Sequence, residues 1–212
     1  MLPPEHYSEA LGLGLNEAQG ELLMRFMTLL QRWNGTYNLT AVRDPAQMLT
    51  QHLADCLAVV PALRRHRTAT GAKRLLDVGS GGGLPGAVLA VLENNLSVTC
   101  VDTVGKKAAF VRQVAAELGL RNLHAEHARV EDLKLPPFDI VTSRAFASLA
   151  DFTALTRKHL APSAVWMAMK GKRPDEEVAA LAADVEVFHV ERLLVPGLDA
   201  ERCLVWMRPK SQ

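Results

Sequence analysis

Cysteine is scarce: the chain carries three, Cys56, Cys100 and Cys203, an odd number with each inside an apolar run. That excludes a disulfide scaffold and fits buried free thiols in a reducing cytoplasm. Long apolar runs are missing too. No window approaches the roughly 20 uninterrupted apolar residues of a membrane span. The start, Met1-Leu2-Pro3-Pro4-Glu5, lacks the basic and apolar regions of a secretory signal, so a cytoplasmic protein with no membrane partner is expected. Neither sign of charge dominates. Lys and Arg number 24 against 23 Asp and Glu, a net charge of +1, which excludes a protein that coats nucleic acid indiscriminately. No internal repeat or low-complexity tract is present.

The 212 residues, 49% apolar and 22% charged, suit one large α/β domain or a smaller one with an appendage. The positive charge is clustered. Arg64, Arg65, Arg67, Lys73 and Arg74 have no acid among them; Lys106, Lys107 and Arg112 form a second group, and Lys170, Lys172 and Arg173 a third. Each group alone reads as a solvated face. Together, on a neutral chain, they leave a local phosphate-binding surface open.

Residues 1–70 read as a helical extension. Asn16 is placed to cap a helix with Gln19 in a capping box, followed by Leu22, Leu23, Phe26, Leu29, Leu30 and Trp33 at helical spacing, with Gly35 as the expected stop. Asp44, Pro45 and Gln47 predict a second helix start, with Met48, Leu49, Leu53, Leu57, Val60 and Leu63 as its buried stripe. Residues 71–212 change character. Strands are predicted near 74–78, 97–101, 122–127, 138–142 and 164–169, with helices near 86–94, 106–118, 148–160 and 174–183. Strict alternation implies parallel strands with right-handed crossovers. The runs 185–190 and 203–207 have no helix between them and predict a closing antiparallel pair at the sheet edge. The expected fold is therefore α/β and Rossmann-like: a seven-stranded, mostly parallel sheet of the class I methyltransferase type.

The most informative stretch is Leu75-Leu76-Asp77-Val78-Gly79-Ser80-Gly81-Gly82-Gly83-Leu84-Pro85-Gly86, a strand ending in an acid and a glycine turn opening a helix. Glycines let backbone N–H groups approach a ligand closely. Asp102, closing the next strand, is spaced to accept from a ribose. Gly81-x-Gly83-x-x-Gly86 fits a dinucleotide fingerprint and an NAD-dependent oxidoreductase. The overlapping Asp77-x-Gly79-x-Gly81-x-Gly83 fits S-adenosylmethionine (SAM). The acid beside the loop and the absence of a following substrate domain favour SAM, whose sulfonium is positive. Val130, Glu131 and Asp132 follow the third strand, and Ser143-Arg144 the fourth, at the cleft where open α/β sheets bind ligands.

Missing motifs then narrow the acceptor. Leu135-Pro136-Pro137-Phe138 lacks the polar first residue of an amine-methylating loop and precedes its strand, so it reads as a turn. The cysteines sit in helix or strand interiors, which argues against a carbon-methylating nucleophile. Guanine N7 fits an acceptor that needs no activation, and no general base is evident. His52 with Asp55, and His127 near Glu131, read as structural.

The combination of Trp33-Asn34 with Tyr37-Asn38-Leu39-Thr40, His52-x-x-Asp55, the glycine loop, Asp102-x-x-x-Lys106, Arg129-Val130-Glu131, Ser143-Arg144-Ala145-Phe146-Ala147 and Lys170-Gly171-Lys172 resembles the bacterial ribosomal small-subunit methyltransferase G family. The resemblance runs from about residue 20 to the end. It implies methyl transfer from SAM to N7 of guanine 527 in 16S rRNA, with the small ribosomal subunit as partner; a monomer is the default expectation. It implies SAM contacts from Gly79, Leu84, Val130, Glu131 and Arg144, with Asp102 on the ribose; the loop pattern adds Asp77, Gly81 and Gly83 to the cofactor-binding set, Arg144 and Asn38 are positioning candidates, and no metal is expected. RNA-binding candidates are Arg32, Lys106, Lys107, Arg112, Lys170 and Lys172. A non-catalytic RNA-binding assembly factor on the same scaffold remains the third alternative.

Overall fold

The computed structural model describes residues 4–144, 146 and 148–210; the motif residues Ala145 and Ala147 lie outside the described residues. The chain opens with α1 (Pro4–Leu11) and α2 (Glu17–Tyr37). Helix α2 starts on the predicted box: Asn16 Oδ1 accepts from the Gln19 N–H at 2.9 Å, and Gln19 Oε1 accepts from the Asn16 N–H at 3.2 Å. It does not stop at Gly35. The helix runs two residues further and ends on Asn38, which is left-handed (φ 50°, ψ 57°) and donates its N–H to the Asn34 carbonyl. Asparagine tolerates that conformation, and an exposed glycine within a helix costs only about 1 kcal/mol.

The second predicted helix begins as expected, with the Asp44 carboxylate accepting from the Gln47 N–H at 2.8 Å. It then breaks into α3 (Pro45–Met48), a π-helical turn (Leu49–Ala54), α4 (Asp55–Leu57) and α5 (Val60–Thr70). All six stripe residues are buried nonetheless. Pro61 explains the second break, because it lacks an N–H and is accommodated only in the first turn of α5. The π turn inserts one residue, which a 3.6-residue period cannot announce.

The sheet follows: β1 (Arg74–Val78), α6 (Gly86–Leu92), β2 (Ser97–Asp102), α7 (Gly105–Leu118), β3 (Leu123–His127), a short 3-10 turn at Val130–Asp132, β4 (Phe138–Ser143) and α8 (Leu149–Thr156). The last part holds β5 (Leu160–Lys170), α9 (Asp175–Ala179), β6 (Val185–Arg192) and β7 (Cys203–Pro209). The seven strands are ordered β3-β2-β1-β4-β5-β7-β6. Strands β1 to β5 pair in parallel, and β7 lies between β5 and β6, antiparallel to both. The closing pair is present, but only β7 runs against the sheet. Its first residues therefore sit at the same edge as the carboxyl ends of the parallel strands.

Strand side chains alternate between two cores, as the pleat requires. Leu75, Val98, Cys100, Ile140 and Met167 face the core shared with α2, α6 and α7, whereas Leu76, Val101, Val141, Trp166 and Ala168 face α8. Residues of the helical extension, among them Phe26 and Leu30, belong to the first core. Phe110 on α7 packs against both Phe26 and Trp33, with ring centroids 6.3 and 5.5 Å apart.

The densest basic group turns out to be mostly structural. Arg64 and Arg67 both bind the Glu93 carboxylate, Arg65 binds Glu191, and Arg74 lies over the Phe138 ring at 4.7 Å. These contacts staple α5 and β1 to their neighbours; Arg65 and Lys73 are the group's exposed cations, and Arg65 is already paired. No helix among those residues is long and apolar enough to cross a membrane.

Candidate active site

The glycine loop leaves β1 with Gly79, Gly81 and Gly83 all at positive φ (68°, 55° and 75°). The Gly79 and Ser80 N–H groups bond the Val101 carbonyl, and the Gly81 N–H donates to Asp102 Oδ2 at 2.9 Å. Asp102 Oδ1 accepts from the Val104 N–H at 2.9 Å, so one carboxylate fixes the turns after both β1 and β2. Two glycines serve packing. A Cβ on Gly83 would approach Ala87 and Val111 at 3.2 Å, and one on Gly86 would lie 2.5 Å from Cys100 Sγ and 2.9 Å from Asp77 Oδ2.

Asp77 is fully buried beneath this loop. Its Oδ2 accepts from the Gly86 N–H at 2.8 Å, while Oδ1 has no partner among the described residues. Burial pushes its pKa up to about 7, against the lowering effects of the Gly86 N–H and the Arg144 charge, with Asp102 adding to the rise. The folded state thus holds a proton that the unfolded chain releases near the ordinary aspartate value of 3.8, and stability falls as pH rises from about 4 to about 7. Asp77→Asn keeps the Gly86 bond and removes the titration. Its stability relative to the parent is expected to improve across that window by up to about 1.4 kcal/mol per pH unit, read from denaturant midpoints at stepped pH.

Two cavities open side by side at the carboxyl edge of the parallel strands. The first, about 370 Å³, is walled by Gly79, Asp102, Lys107, Ala128, Val130 and Glu131, with Phe146 and Leu155 closing it. The second, about 340 Å³, is walled by Gln51, His52, Asp55, Arg144, Lys170 and Arg202, with Met169 and Gly171 at its base. Arg144, just after β4, lines the second, and Phe146 lines the first.

This geometry gathers Gly79, Asp102, Val130 and Glu131 as the sequence predicts, with Gly81 tied to Asp102 behind them. Other expected cofactor residues lie elsewhere. Asp77 and Leu84 are buried and line neither cavity, Gly83 is spent on helix packing, and Arg144 belongs to the second cavity. The basic candidates also divide. Lys107 lines the first cavity, 4.0 Å from Asp102 Oδ2. Lys170 lines the second, paired with Glu177 at 2.7 Å and donating to the Phe146 carbonyl at 3.2 Å. Arg32, Lys106, Arg112 and Lys172 are exposed, and Arg112 donates to the Ala125 carbonyl.

The second cavity is wired by a polar chain. Asn34, buried in α2, accepts from the Thr40 N–H at 2.8 Å and donates to the Val42 carbonyl. Thr40 Oγ1 lies 2.7 Å from His52 Nε2, and His52 Nδ1 lies 3.4 Å from Arg144 Nη1. The same Arg144 nitrogen bonds the Gln51 carbonyl at 3.2 Å and Asp55 Oδ2 at 3.4 Å. Asp55 Oδ1 accepts from Arg202 Nε at 2.9 Å. His52 and Asp55, read from sequence as structural, thus stand in a cavity wall. His52 lies in the π turn, and Asp55 begins the helix that follows it. Burial, then the Arg144 charge, lowers the His52 pKa to about 4, so the ring is neutral near pH 7; Nδ1 faces the guanidinium as an acceptor. Asn38 stands outside this chain, exposed and accepting from Arg43 at 2.7 Å. Burial also pushes the Cys56 and Cys100 thiols up, so neither is poised as a nucleophile.

The family described as "GidB: rRNA small subunit methyltransferase G" matches residues 19–205, a span holding every wall residue of both cavities. The chain belongs to the rRNA small subunit methyltransferase G family. It is 62% identical over 209 residues to the Ribosomal RNA small subunit methyltransferase G of Acidovorax sp. (strain JS42), covering 95% of this chain and 92% of that one. It is 60% identical over 204 residues to the protein of that name from Leptothrix cholodnii (strain ATCC 51168 / LMG 8142 / SP-6), covering 96% and 93%. Among solved structures, TrmN from Thermus thermophilus superposes with a TM-score of 0.57 at 21% identity, over 73% of this chain and 48% of that one. The glycopeptide N-methyltransferase MtfA complexed with SAM gives 0.58 at 14% identity, over 70% and 93%. At such identities the structures establish the fold of this rRNA small subunit methyltransferase G family member, while the relatives establish the family.

Sequence reasoning missed Arg202 and Gln51. Arg202 carried a signal of the kind that singled out Arg144, a charge abutting an apolar strand. It precedes its strand, however, and only the reversal of β7 brings that end to the cleft.

Proposed function

We propose that this chain transfers the methyl group of SAM to N7 of guanine 527 in 16S rRNA, holding the donor in the Gly79–Asp102–Val130 cavity and the acceptor in the His52–Asp55–Arg144 cavity. The observation that carries this reading is the pair of cavities at the carboxyl edge of the sheet, one lined by Arg144 and the other by Phe146. The first cavity suits an adenosine-bearing donor. Its volume falls in the range of small-molecule sites. Asp102 retains lone pairs for ribose hydroxyls, Gly79 presents backbone without a Cβ, and Val101, Ala128, Val130 and Leu155 give apolar walls for a flat base.

SAM supplies an electrophilic methyl on a sulfonium. Guanine N7 offers an in-plane lone pair and no proton at neutral pH, so the protein has no proton to remove. A neutral His52 bonded to Thr40 agrees with that economy. What the residues contribute is placement: Asp102 and the glycine loop fix one partner, the Asp55–Arg144–Arg202 group fixes the other, and the apolar walls exclude water. Holding reacting atoms about 3–3.5 Å apart supplies much of the acceleration. An oxidoreductase finds no support in these relatives, and a non-catalytic scaffold would need neither cavity.

The exposed cations Arg32, Lys106 and Lys172 form the RNA-facing set. Lys106→Ala or Lys172→Ala is expected to weaken subunit binding about equally across RNA sequences and to lower the salt slope by about 1 per residue. SAM affinity stays unchanged, as read by calorimetry. Lys107→Ala, by contrast, acts on SAM affinity. The function itself is tested with methyl-labelled SAM, offered with free 16S rRNA or with small subunits, followed by mapping of the labelled base. One label per RNA at N7 of guanine 527 supports the reading; label on any other base, or none, rejects it.

A further inference from the structure

We infer that the acceptor cavity selects guanine by its O6 atom, through the guanidinium groups of Arg144 and Arg202 that Asp55 holds in place. The inference rests on the acceptor-cavity reading above and goes beyond it to the recognised atom. Asp55 is the carboxylate of this wall, and both its oxygens are already engaged, one by each arginine. Its side chain is only 4% exposed, so it acts as an anchor rather than as an acceptor open to a ligand. The arginines are about one-quarter exposed, and each keeps donors to spare. Arg144 makes its bonds through Nη1, and Arg202 through Nε and Nη1; among the described residues, Nη2 of both has no partner.

The charged side chains facing this cavity therefore offer donors and withhold acceptors. Lys170 adds another cation, already paired with Glu177. A purine presents O6 beside N7 in guanine, an acceptor, and an amino group at the same place in adenine, a donor. A wall of anchored guanidiniums accepts the first and rejects the second, because the amino group would meet N–H donors with no acceptor opposite it. O6 is thus bound while N7 stays free for the methyl group.

The test uses small subunits assembled on 16S rRNA carrying guanosine, inosine or 2,6-diaminopurine riboside at the target position, with kcat/KM measured for each. Inosine keeps O6 and loses the 2-amino group; diaminopurine keeps the 2-amino group and replaces O6 with an amine. Inosine is expected within a few-fold of guanosine, and diaminopurine to fall by about 10- to 100-fold. Arg144→Met should narrow the guanosine-to-diaminopurine ratio by losing activity on guanosine alone. Arg202→Met is the second variant, and unchanged SAM affinity certifies that each is folded. Diaminopurine methylated as well as guanosine overturns the inference, as does loss of activity on inosine. Absence of transfer to guanosine itself is a different failure, and it sinks the underlying cavity reading.

Discussion

Asp55→Ala is expected to lower methyl transfer to the small subunit by about 100-fold while SAM affinity stays within about twofold. The expectation follows from what the carboxylate holds. Arg144 Nη1 and Arg202 Nε converge on its two oxygens at 3.4 and 2.9 Å, from the β4 end and the β7 start respectively. Without it, Arg144 keeps the Gln51 carbonyl and His52 Nδ1, and Arg202 keeps only the Glu201 carbonyl. A displacement of about 1 Å at a reacting partner costs on the order of 100-fold in rate. The donor cavity shares no lining residue with the cavity that Asp55 lines, which is why donor binding is spared. Stability should fall by less than the roughly 3–5 kcal/mol of a fully buried broken pair, since water reaches both arginines. Asp55→Asn, retaining one acceptor, should fall between parent and alanine. Single-turnover transfer and SAM calorimetry on the same preparations separate the effects.

Gly86→Ala should be the most damaging conservative change in the loop. Its Cβ would lie 2.5 Å from Cys100 Sγ and 2.9 Å from Asp77 Oδ2, both in the closed core beneath α6. Something must shift, and what shifts is the turn carrying Gly79 and Gly81 or the Asp77–Gly86 hydrogen bond. Overpacking of this kind costs about 1–3 kcal/mol, and SAM binding should weaken with it. The same substitution at Gly35 has the opposite sign. That residue is exposed within α2 and a Cβ there meets nothing, so Gly35→Ala should stabilise by about 0.5–1 kcal/mol without touching activity. Denaturant midpoints of the two variants, taken beside the parent, check both signs.

Much of this was legible in sequence because it depends on short-range chemistry. The strand-turn-helix pattern at 75–86, the Asn16 and Asp44 caps and the alternation of strands and helices are local, and all appear where the residues place them. Long-range arrangements were not legible. The pairing of Arg64, Arg67 and Glu93 joins α5 to the residue after α6, so basic residues that singly read as a solvated face are engaged in ion pairs between elements. His52 lies in the π turn and Asp55 directly after it, a local irregularity that the burial stripe does not announce. Arg202 needed the direction of β7. The division between cavities also needed coordinates: Arg144 and Phe146 are two residues apart and face different chambers.

The central claim is that these two chambers bring a SAM methyl group to one guanine of the small subunit. It is tested most directly in cells lacking this protein. Mass spectrometry of the 16S rRNA fragment containing guanine 527 should show that base without its N7 methyl, and purified protein with SAM should restore the mark on subunits from those cells. An intact N7 methyl in the deletion strain would contradict the claim.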